Sequence, residues 1–242
     1  MDKNNAKEKF QKVQSLFLRM SHEEMCVVVE SYYIWRTLTF SRSIPEVGED
    51  IANKNAKLMS LYKEFFLPTE QSHLQTFILG LMKFFDKDPR ALSINALIKE
   101  IQDNKELFTP DILRSVYPHL QEIGAETENY LPIDQSSIDH FNQLCEKHKT
   151  LIANLKDTRD KQLAHTDMEV IKVTFVPNEV EELIDGIQEM FNKLSKSFDR
   201  SSTMWDHLKK DSIRSTEFLF QNLERGEKVR LEEIKRKWEN GE

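Results

Sequence analysis

The sequence predicts an all-α protein, because its turn residues are few and its apolar residues are spaced as in helices. The 242 residues include only six glycines and seven prolines, below the average usage of about 7% and about 5%. β-Sandwiches and nucleotide-binding α/β folds need more turn glycines than that. Apolar residues recur at helical spacing almost throughout the chain. A chain of this length removes roughly 70–75% of its unfolded surface from water on folding, which is enough for one large core.

The first third of the chain is predicted to form four amphipathic helices. They cover approximately residues 7–20, 22–43, 50–66 and 69–86. Ser21 is expected to cap the second helix, because Glu24 follows three residues later as in a capping box. Pro68 is expected to end the third helix. The Phe-rich stripe of the fourth helix predicts a core face rather than a stacking platform for bases, since a platform needs exposed aromatics interleaved with Lys and Arg.

The middle of the chain is predicted to contain two short helices, a loop and one long helix. Ser93 is placed to start the first short helix. Thr109 starts the second, with Pro110 in the first turn, where proline is well tolerated. A loop around Pro132 follows. A long amphipathic helix is then expected at about residues 135–165.

The last part of the chain is also expected to be mainly helical. Residues 169–175 are rich in β-branched side chains, so a short strand is an alternative there. Two more helices are expected at about 178–198 and 200–223. Residues 1–224 are therefore predicted to form a single helical domain. The segment 225–242 follows as a charged C-terminal tail, helical or frayed.

Composition excludes several classes of function. Lys and Arg number 34 against 41 Asp and Glu, a formal net charge of −7, which excludes a globally basic, histone-like nucleic-acid binder but allows a local basic site. Two cysteines, Cys26 and Cys145, make no disulfide framework. The charged start and the lack of an apolar run of about 18 residues predict a cytoplasmic protein without a membrane span. No glycine-rich phosphate loop, His-Glu-x-x-His or Cys-x-x-Cys occurs, so no cofactor is predicted.

The strongest functional pattern lies at the end of the predicted long helix. There the chain reads Arg-Asp-Lys-Gln-Leu-Ala-His-Thr-Asp over residues 159–167, which places His165 six positions after Arg159. Two other Arg–His pairs have similar spacing, Arg114 with His119 and Arg200 with His207. Pro118 would disrupt a helix within the first of these. The second begins a Ser- and Thr-rich segment after the main body of the domain, so context favours Arg159 and His165.

This string resembles the AbiU-like branch of the HEPN superfamily, which is named for abortive infection. A second string, Phe-Phe-Asp-Lys-Asp-Pro-Arg-Ala-Leu-Ser over residues 84–93 and its continuation to residue 98, resembles a helix junction of the same branch. The resemblance covers roughly residues 20–200. It implies an all-α HEPN-type helical bundle, here with additional N- and C-terminal helices. It also implies a homodimer, and a ribonuclease of toxin or phage-defence type with RNA as substrate and an antitoxin-like protein as a partner.

Helical geometry separates the two motif residues within one chain. Arg159 continues the apolar line of Ile152 and Leu155, seven and four residues before it. His165 lies about 9 Å further along the axis and about 120° around it. One straight helix therefore does not bring Arg159 and His165 to a single reacting atom. Two such helices from two chains, packed with their ends together, would do so.

The residue types suit RNA cleavage without a metal ion. His165 can donate or accept a proton near neutral pH, and the permanently charged guanidinium of Arg159 suits a phosphate. Asp160 would orient one of them, and Asp167 is the second acidic residue of the string. Lys156 and Lys161 are expected to hold flanking phosphates of the RNA. The predicted reaction is attack by the 2′-hydroxyl, which leaves a 2′,3′-cyclic phosphate.

Structural interpretations of the same residues remain open at this point. A histidine near a helix C-terminus is favoured by the helix dipole, and an arginine often extends from an apolar stripe to solvent. The rival function is a non-catalytic helical module for dimerisation or for binding RNA or an antitoxin-like protein. His140, Cys145 and His148 do not predict a metal site, because they are spread over about 140° of a helix. Cys145 and His148 are expected in the core.

Overall fold

The fold is all-α, as the sequence predicts. In a computed structural model, residues 3–88, 90–117, 133, 135–162, 175–198 and 202–240 are described, and no strand occurs among them. The N-terminal helices are α1 (Lys3–Leu18), a π-helical turn (Arg19–Glu24), α2 (Met25–Phe40), α3 (Ile44–Val47), α4 (Glu49–Leu61) and α5 (Lys63–Phe84). The later ones are α6 (Ile94–Asp103), a 3-10 turn (Lys105–Leu107), α7 (Pro110–Val116), α8 (Gln135–Lys147), α9 (Lys149–Gln162), α10 (Pro177–Ser195) and α11 (Trp205–Asn240).

The chain divides into two compact units. The first combines Met1–Val28 with Ile78–Trp205, and the second combines Val29–Phe77 with Asp206–Glu242. The described helices include none that is long and apolar enough to cross a lipid bilayer.

An aromatic cluster forms the core of the first unit. Phe17 stacks on Phe198 with ring centroids 4.6 Å apart, and Phe10 contacts Phe108 and Phe198 at 5.6 and 5.9 Å. All four rings are at most 4% exposed. Offset and edge-on contacts of this kind add about 0.5–1.5 kcal/mol each to the burial of the rings. The cluster ties α1 to the segments that follow α6 and α10.

A smaller apolar cluster forms the core of the second unit. It consists of buried Leu38, Leu58, Met59, Phe66 and Phe220, with partly buried Ile34, Leu219 and Leu223 packed against it. The rings of Phe66 and Phe220 stack with centroids 5.4 Å apart. This contact packs α5 against α11 within the second unit.

The prediction that Ser21 caps a new helix is wrong. Helical structure continues from α1 through the π-helical turn into α2 without a break. The Ser21 hydroxyl donates a hydrogen bond back to the carbonyl of Phe17 at 2.9 Å, and Ser21 is 1% exposed. A serine that bonds to the preceding turn fits inside a helix. The buried Met20 and Ser21 therefore favour the π-helical turn over a helix start.

The prediction that Pro68 ends a helix is also wrong. The break comes earlier, at Tyr62, and Pro68 lies inside α5. A proline within a helix costs about 3 kcal/mol or more. Burial of Phe66 against Phe220 offsets that cost, and the hydroxyl of Thr69 satisfies the carbonyl of Phe65 at 2.6 Å.

Over its described residues, 135–162, the predicted long helix is two helices with His148 between them. Backbone hydrogen bonds continue across the junction, from the His148 amide to Leu144 and from the Ile152 amide to His148. The junction is therefore a local distortion and not a loop. His148 is only 6% exposed, as expected for a core residue.

The predicted helix starts at Ser93 and Thr109 are confirmed. The hydroxyl of Ser93 accepts a hydrogen bond from the Ala96 amide, and that of Thr109 accepts one from the Ile112 amide. Residues 225–240 continue α11. The predicted strand at 169–175 lies, apart from its last residue, outside the described residues.

Candidate functional site

Arg159 lies near the C-terminal end of α9, at the border between core and solvent. Leu155, one turn earlier, is fully buried, and the Arg159 side chain is 25% exposed. This is the position that the apolar line of the helix predicts. A guanidinium at such a border is partly desolvated, which strengthens its interaction with an anion.

Asp160 holds the guanidinium of Arg159 from one side. Its Oδ1 accepts hydrogen bonds from Nε at 2.8 Å and from Nη2 at 2.7 Å. These contacts use the side edge of the guanidinium, which is formed by Nε and Nη2. They do not use the end-on edge, which runs from Nη1 to Nη2. The predicted orienting role of Asp160 therefore fits the geometry around Arg159, because an arginine fork can bind a second group at its other edge.

Arg159 lines a cleft of about 270 Å³ in the first unit. The cleft lies between α9 and the C-terminal end of α5, and Phe85 and Ile152 are among its apolar lining residues. Lys87, Lys149 and Lys156 also line it, and Asp86 is its single carboxylate. Four cations around one small cleft form a local basic site in a chain whose net charge is −7. Such a site attracts phosphate.

The other sequence-predicted site residues divide into two groups. Lys156 lies in the cleft with Arg159, as its spacing of three residues on α9 predicts. Lys161 is in α9, but its side chain lies outside the described part of the structure, as do His165 and Asp167 entirely.

Two further cations of the cleft were not among the predicted residues. Lys149 lies seven residues before Lys156 on α9, so helical spacing already places both on one face. Lys87 comes from the segment after α5, far earlier in the chain. No periodicity within one helix reveals such a residue, because its position depends on tertiary packing.

The segment after α5 has a fixed local structure that presents Lys87. The Asp86 carboxylate accepts a hydrogen bond from the Asp88 amide at 2.9 Å, and the Asp88 carboxylate accepts one from the Arg90 amide at 2.9 Å. The Arg90 side chain also binds Asp88, at 2.8 Å. The Arg90 side-chain bond, together with its backbone bond, lowers the pKa of Asp88 below its usual value. The acidic residues of the second family-like string thus shape the turn around Lys87.

The competing Arg–His pairs have different surroundings. Arg114 pairs with Asp111 at 3.0 Å on the surface of α7. His119 and Arg200 lie outside the described residues, and His207 is on α11 in the second unit.

Cys145 and His148 do not form a reactive pair. Burial raises the pKa of the Cys145 thiol to about 11, so it is protonated at neutral pH and is a poor nucleophile. Burial lowers the pKa of His148 below its usual value. No group of three or more His, Cys, Asp and Glu side chains with metal-binding geometry occurs in the described part of the chain.

A larger cavity, of about 650 Å³, lies in the second unit. Its lining includes Lys54 and Glu224, which form an ion pair at 2.8 Å. Lys228 also binds Glu224, at 2.9 Å. Hydrogen bonds from the two lysines lower the pKa of Glu224 to about 2. Lys54 and Glu224 of this lining are thus already paired with each other, and Glu46 and Glu217 add two further carboxylates to it.

Comparison with known protein families gives one result, and it agrees with the strings around residues 84–98 and 159–167. The family model HEPN_AbiU2, described as AbiU2, matches residues 11–219. Comparisons with curated proteins and with solved structures found no match. The matched region covers most of the 242 residues, including every described residue of the Arg159 cleft. The chain therefore belongs to the AbiU2 family of HEPN proteins.

Proposed function

We propose that this protein is a metal-independent endoribonuclease of toxin or phage-defence type that acts on RNA inside the cell. The observation that carries the proposal is the cleft in which Arg159 lies with three lysines and one carboxylate. Its size and charge suit a phosphate of a single RNA strand. Family membership supports the same function, because the motif residues of catalytic HEPN proteins are an arginine and a histidine.

Arg159 would bind the phosphate at which the strand is cut. The side edge of its guanidinium is held by Asp160, so the end-on edge is oriented in advance. A preoriented cation costs little reorganisation when negative charge builds up in the transition state. Lys149 and Lys156, on the same face of α9, would neutralise the adjacent phosphates.

The proposed reaction is an intramolecular transfer at phosphorus. A base removes the proton of the 2′-hydroxyl, and the 2′-oxygen forms a bond to phosphorus while the bond from phosphorus to the 5′-oxygen breaks. An acid gives a proton to the departing 5′-oxygen, and a 2′,3′-cyclic phosphate remains. His165 would perform one of the two proton transfers, since its ordinary pKa lies near neutrality. No oxidant, cofactor or metal ion takes part.

A homodimer would complete this site. The separation that the sequence predicts between Arg159 and His165 favours a composite centre in which the two α9 ends of a dimer meet. Asp167 and Lys161, close to His165 in sequence, would then support the bound strand. An antitoxin-like partner would act by covering this region.

A second candidate function is a non-catalytic interaction module, and the end of α11 favours it. Leu231, Ile234 and Trp238 are 52%, 40% and 81% exposed. Their spacing of three and four residues places them on one face of the helix. An exposed apolar face of this kind suits a partner helix, from a second copy or another protein.

Incubation of the purified protein with RNA in EDTA distinguishes the two functions. Wild type should cleave and leave cyclic phosphate ends, and His165→Ala should reduce the rate by about 10²–10⁴-fold, the usual contribution of a general acid or base. His207→Ala is the matched control, because it removes a histidine from α11 in the second unit. Absence of cleavage by wild type, or equal cleavage by His165→Ala, would refute the ribonuclease proposal and favour the interaction module.

A further inference from the structure

Lys87 lines two neighbouring clefts of the first unit. One is the Arg159 cleft, and the other is a cleft of about 500 Å³ bounded by α6, the end of α1 and the turn after α5. Because Lys87 lines both, the two clefts adjoin at this residue. The Arg159 cleft therefore continues into a second cleft at this point.

The second cleft carries cations of its own. Arg19, Arg90 and Lys99 line it together with Lys87. Asp88, Glu100 and Asp103 are its carboxylates, and Asp88 is engaged by Arg90. Arg19, Lys87 and Lys99 form no ion pair within the described ranges. These three cations are therefore the groups best placed to meet an incoming anion.

Hydrogen bonds fix the conformation of the turn that carries Lys87. Successive hydrogen bonds join Asp86 to the Asp88 amide and Asp88 to the Arg90 amide. The Asn95 side chain on α6 also donates to the Asp86 carbonyl, at 3.3 Å. The turn is thereby fixed to α6, whose residues line the second cleft. Such a turn holds a lysine at a defined place without using its ammonium group.

We infer that the two clefts form one binding path, along which an RNA strand runs from Arg159 past Lys87 to Arg19 and Lys99. This inference rests on the proposed function and adds a second phosphate-binding subsite to it. Lys87 would bind the phosphate between the subsites. Contacts to phosphates fix the position of a strand irrespective of its sequence. The second subsite would therefore set the minimum length of RNA that binds well, and the register in which the strand meets Arg159.

Binding of 2′-O-methyl RNA, which cannot undergo 2′-hydroxyl attack, tests the path independently of cleavage. Strands of increasing length are titrated against the full-length protein at several salt concentrations. The affinity of wild type should rise abruptly at the strand length that reaches the second subsite. This abrupt rise is called the length step. Each lost phosphate contact lowers the slope of log affinity against log salt by about 0.7 for single strands. Lys87→Ala and Lys99→Ala should each show that loss, and the double variant should lose the length step.

Lys83→Ala is the matched control. Lys83 lies one turn before Lys87, pairs with Glu24 at 3.0 Å and lines neither cleft. Its substitution should leave both the salt slope and the length step unchanged. Lys87→Arg should retain both as well, because the charge is kept, and thermal unfolding of each variant shows that it is folded.

The outcomes separate this inference from the ribonuclease proposal. A length step that persists in the double variant, or salt slopes equal to those of wild type, would overturn the path even if the protein cleaves RNA. A step that depends on Lys87 and Lys99 in a protein that cleaves no RNA would support the path and refute the nuclease. Wild type with no affinity for any strand would refute both.

Discussion

The Arg159 cleft of the first unit and the larger cavity of the second unit differ in how their charges are used. The larger cavity measures about 650 Å³, and Lys54 and Glu224 of its lining form an ion pair. Lys228, outside the lining, also binds Glu224. The Arg159 cleft measures about 270 Å³, and its four cations face one carboxylate of the lining. Asp160 takes one edge of the arginine only.

The size of a cavity alone therefore does not identify a binding site. The largest pocket is the usual first hypothesis for a binding site. In the larger cavity Lys54 and Glu224 pair with each other, and the other two carboxylates of its lining, Glu46 and Glu217, would repel an anion.

In the smaller cleft Lys149 pairs with Glu146 at 3.2 Å and Arg159 with Asp160, whereas Lys87 and Lys156 form no ion pair with the described residues. An anion can therefore meet these two lysines without breaking an ion pair.

Among substitutions in the Arg159 cleft and in the larger cavity, that of Arg159 should have the largest effect on the rate of RNA cleavage. Arg159→Ala should reduce RNA cleavage by about 10²–10³-fold, as expected when a group that stabilises transition-state charge is removed. Lys54→Ala, in the larger cavity, should leave the cleavage rate unchanged. Initial rates with a fluorescent RNA in EDTA provide the measurement.

Arg114→Ala is the control for this comparison, because it also removes an arginine paired with an aspartate. It should cleave at the wild-type rate. A larger loss in Lys54→Ala than in Arg159→Ala would move the site to the second unit.

Asp160→Asn should have a smaller effect, which tests how the guanidinium is oriented. Asn keeps one acceptor oxygen but loses the charge, so the arginine would be held less firmly. We expect about a tenfold fall in kcat with little change in KM, because misorientation affects the transition state more than binding. Asp157→Asn, which removes the same charge from α9, serves as control, and an equal fall there would show a general charge effect instead.

Helix packing in the first unit and helix packing in the second unit differ at two glycines. A Cβ on Gly186 would overlap Leu144 of α8, whereas one on Gly226 would meet nothing within 4 Å. Gly186→Ala should lower the free energy of unfolding by about 1–3 kcal/mol through overpacking. Gly226→Ala should raise it by up to about 1 kcal/mol, because alanine favours helix. Urea unfolding measures both, and a stable Gly186→Ala protein would contradict the α8–α10 packing.

The smallest expected effect concerns the ion pairs of the larger cavity. The pKa of Glu224 is lowered to about 2, so its charged form stabilises the fold at pH values above its ordinary pKa of 4.5. This contribution is lost as pH falls from about 4.5 towards 2. Glu224→Gln should therefore reduce Tm slightly at pH 7, and the difference from wild type should narrow below pH 4.5. Glu232→Gln, farther along α11, is the control, and a difference that does not change with pH would contradict this origin.

Local sequence signals predicted the features that depend on local chemistry. Ser93 and Thr109 were identified as caps because a hydroxyl next to a helix start satisfies free amides. Lys156, expected to hold a phosphate of the RNA, lines the cleft with Arg159, and their spacing of three residues on one helix accounts for this. The all-α class followed from the few glycines and the helical periodicity.

The wrong predictions depended on distant contacts. Pro68 stays inside α5 because Phe66 packs on Phe220, more than 150 positions away in sequence. Ser21 continues a helix because its neighbours are buried. Lys87, which was not among the predicted site residues, lines the cleft because of the tertiary packing of the turn after α5. Propensity cannot reveal such contacts, because their energy comes from residues elsewhere in the chain.

Cross-linking of bound RNA tests the central assignment most directly. A 2′-O-methyl strand carrying 4-thiouridine is irradiated with the full-length protein, and the linked peptides are identified by mass spectrometry. We expect cross-links to the segments around residues 82–99 and 149–159, and their loss in Arg159→Ala combined with Lys87→Ala. Cross-links concentrated at residues 36–55 and 213–224, which line the larger cavity, would contradict this assignment.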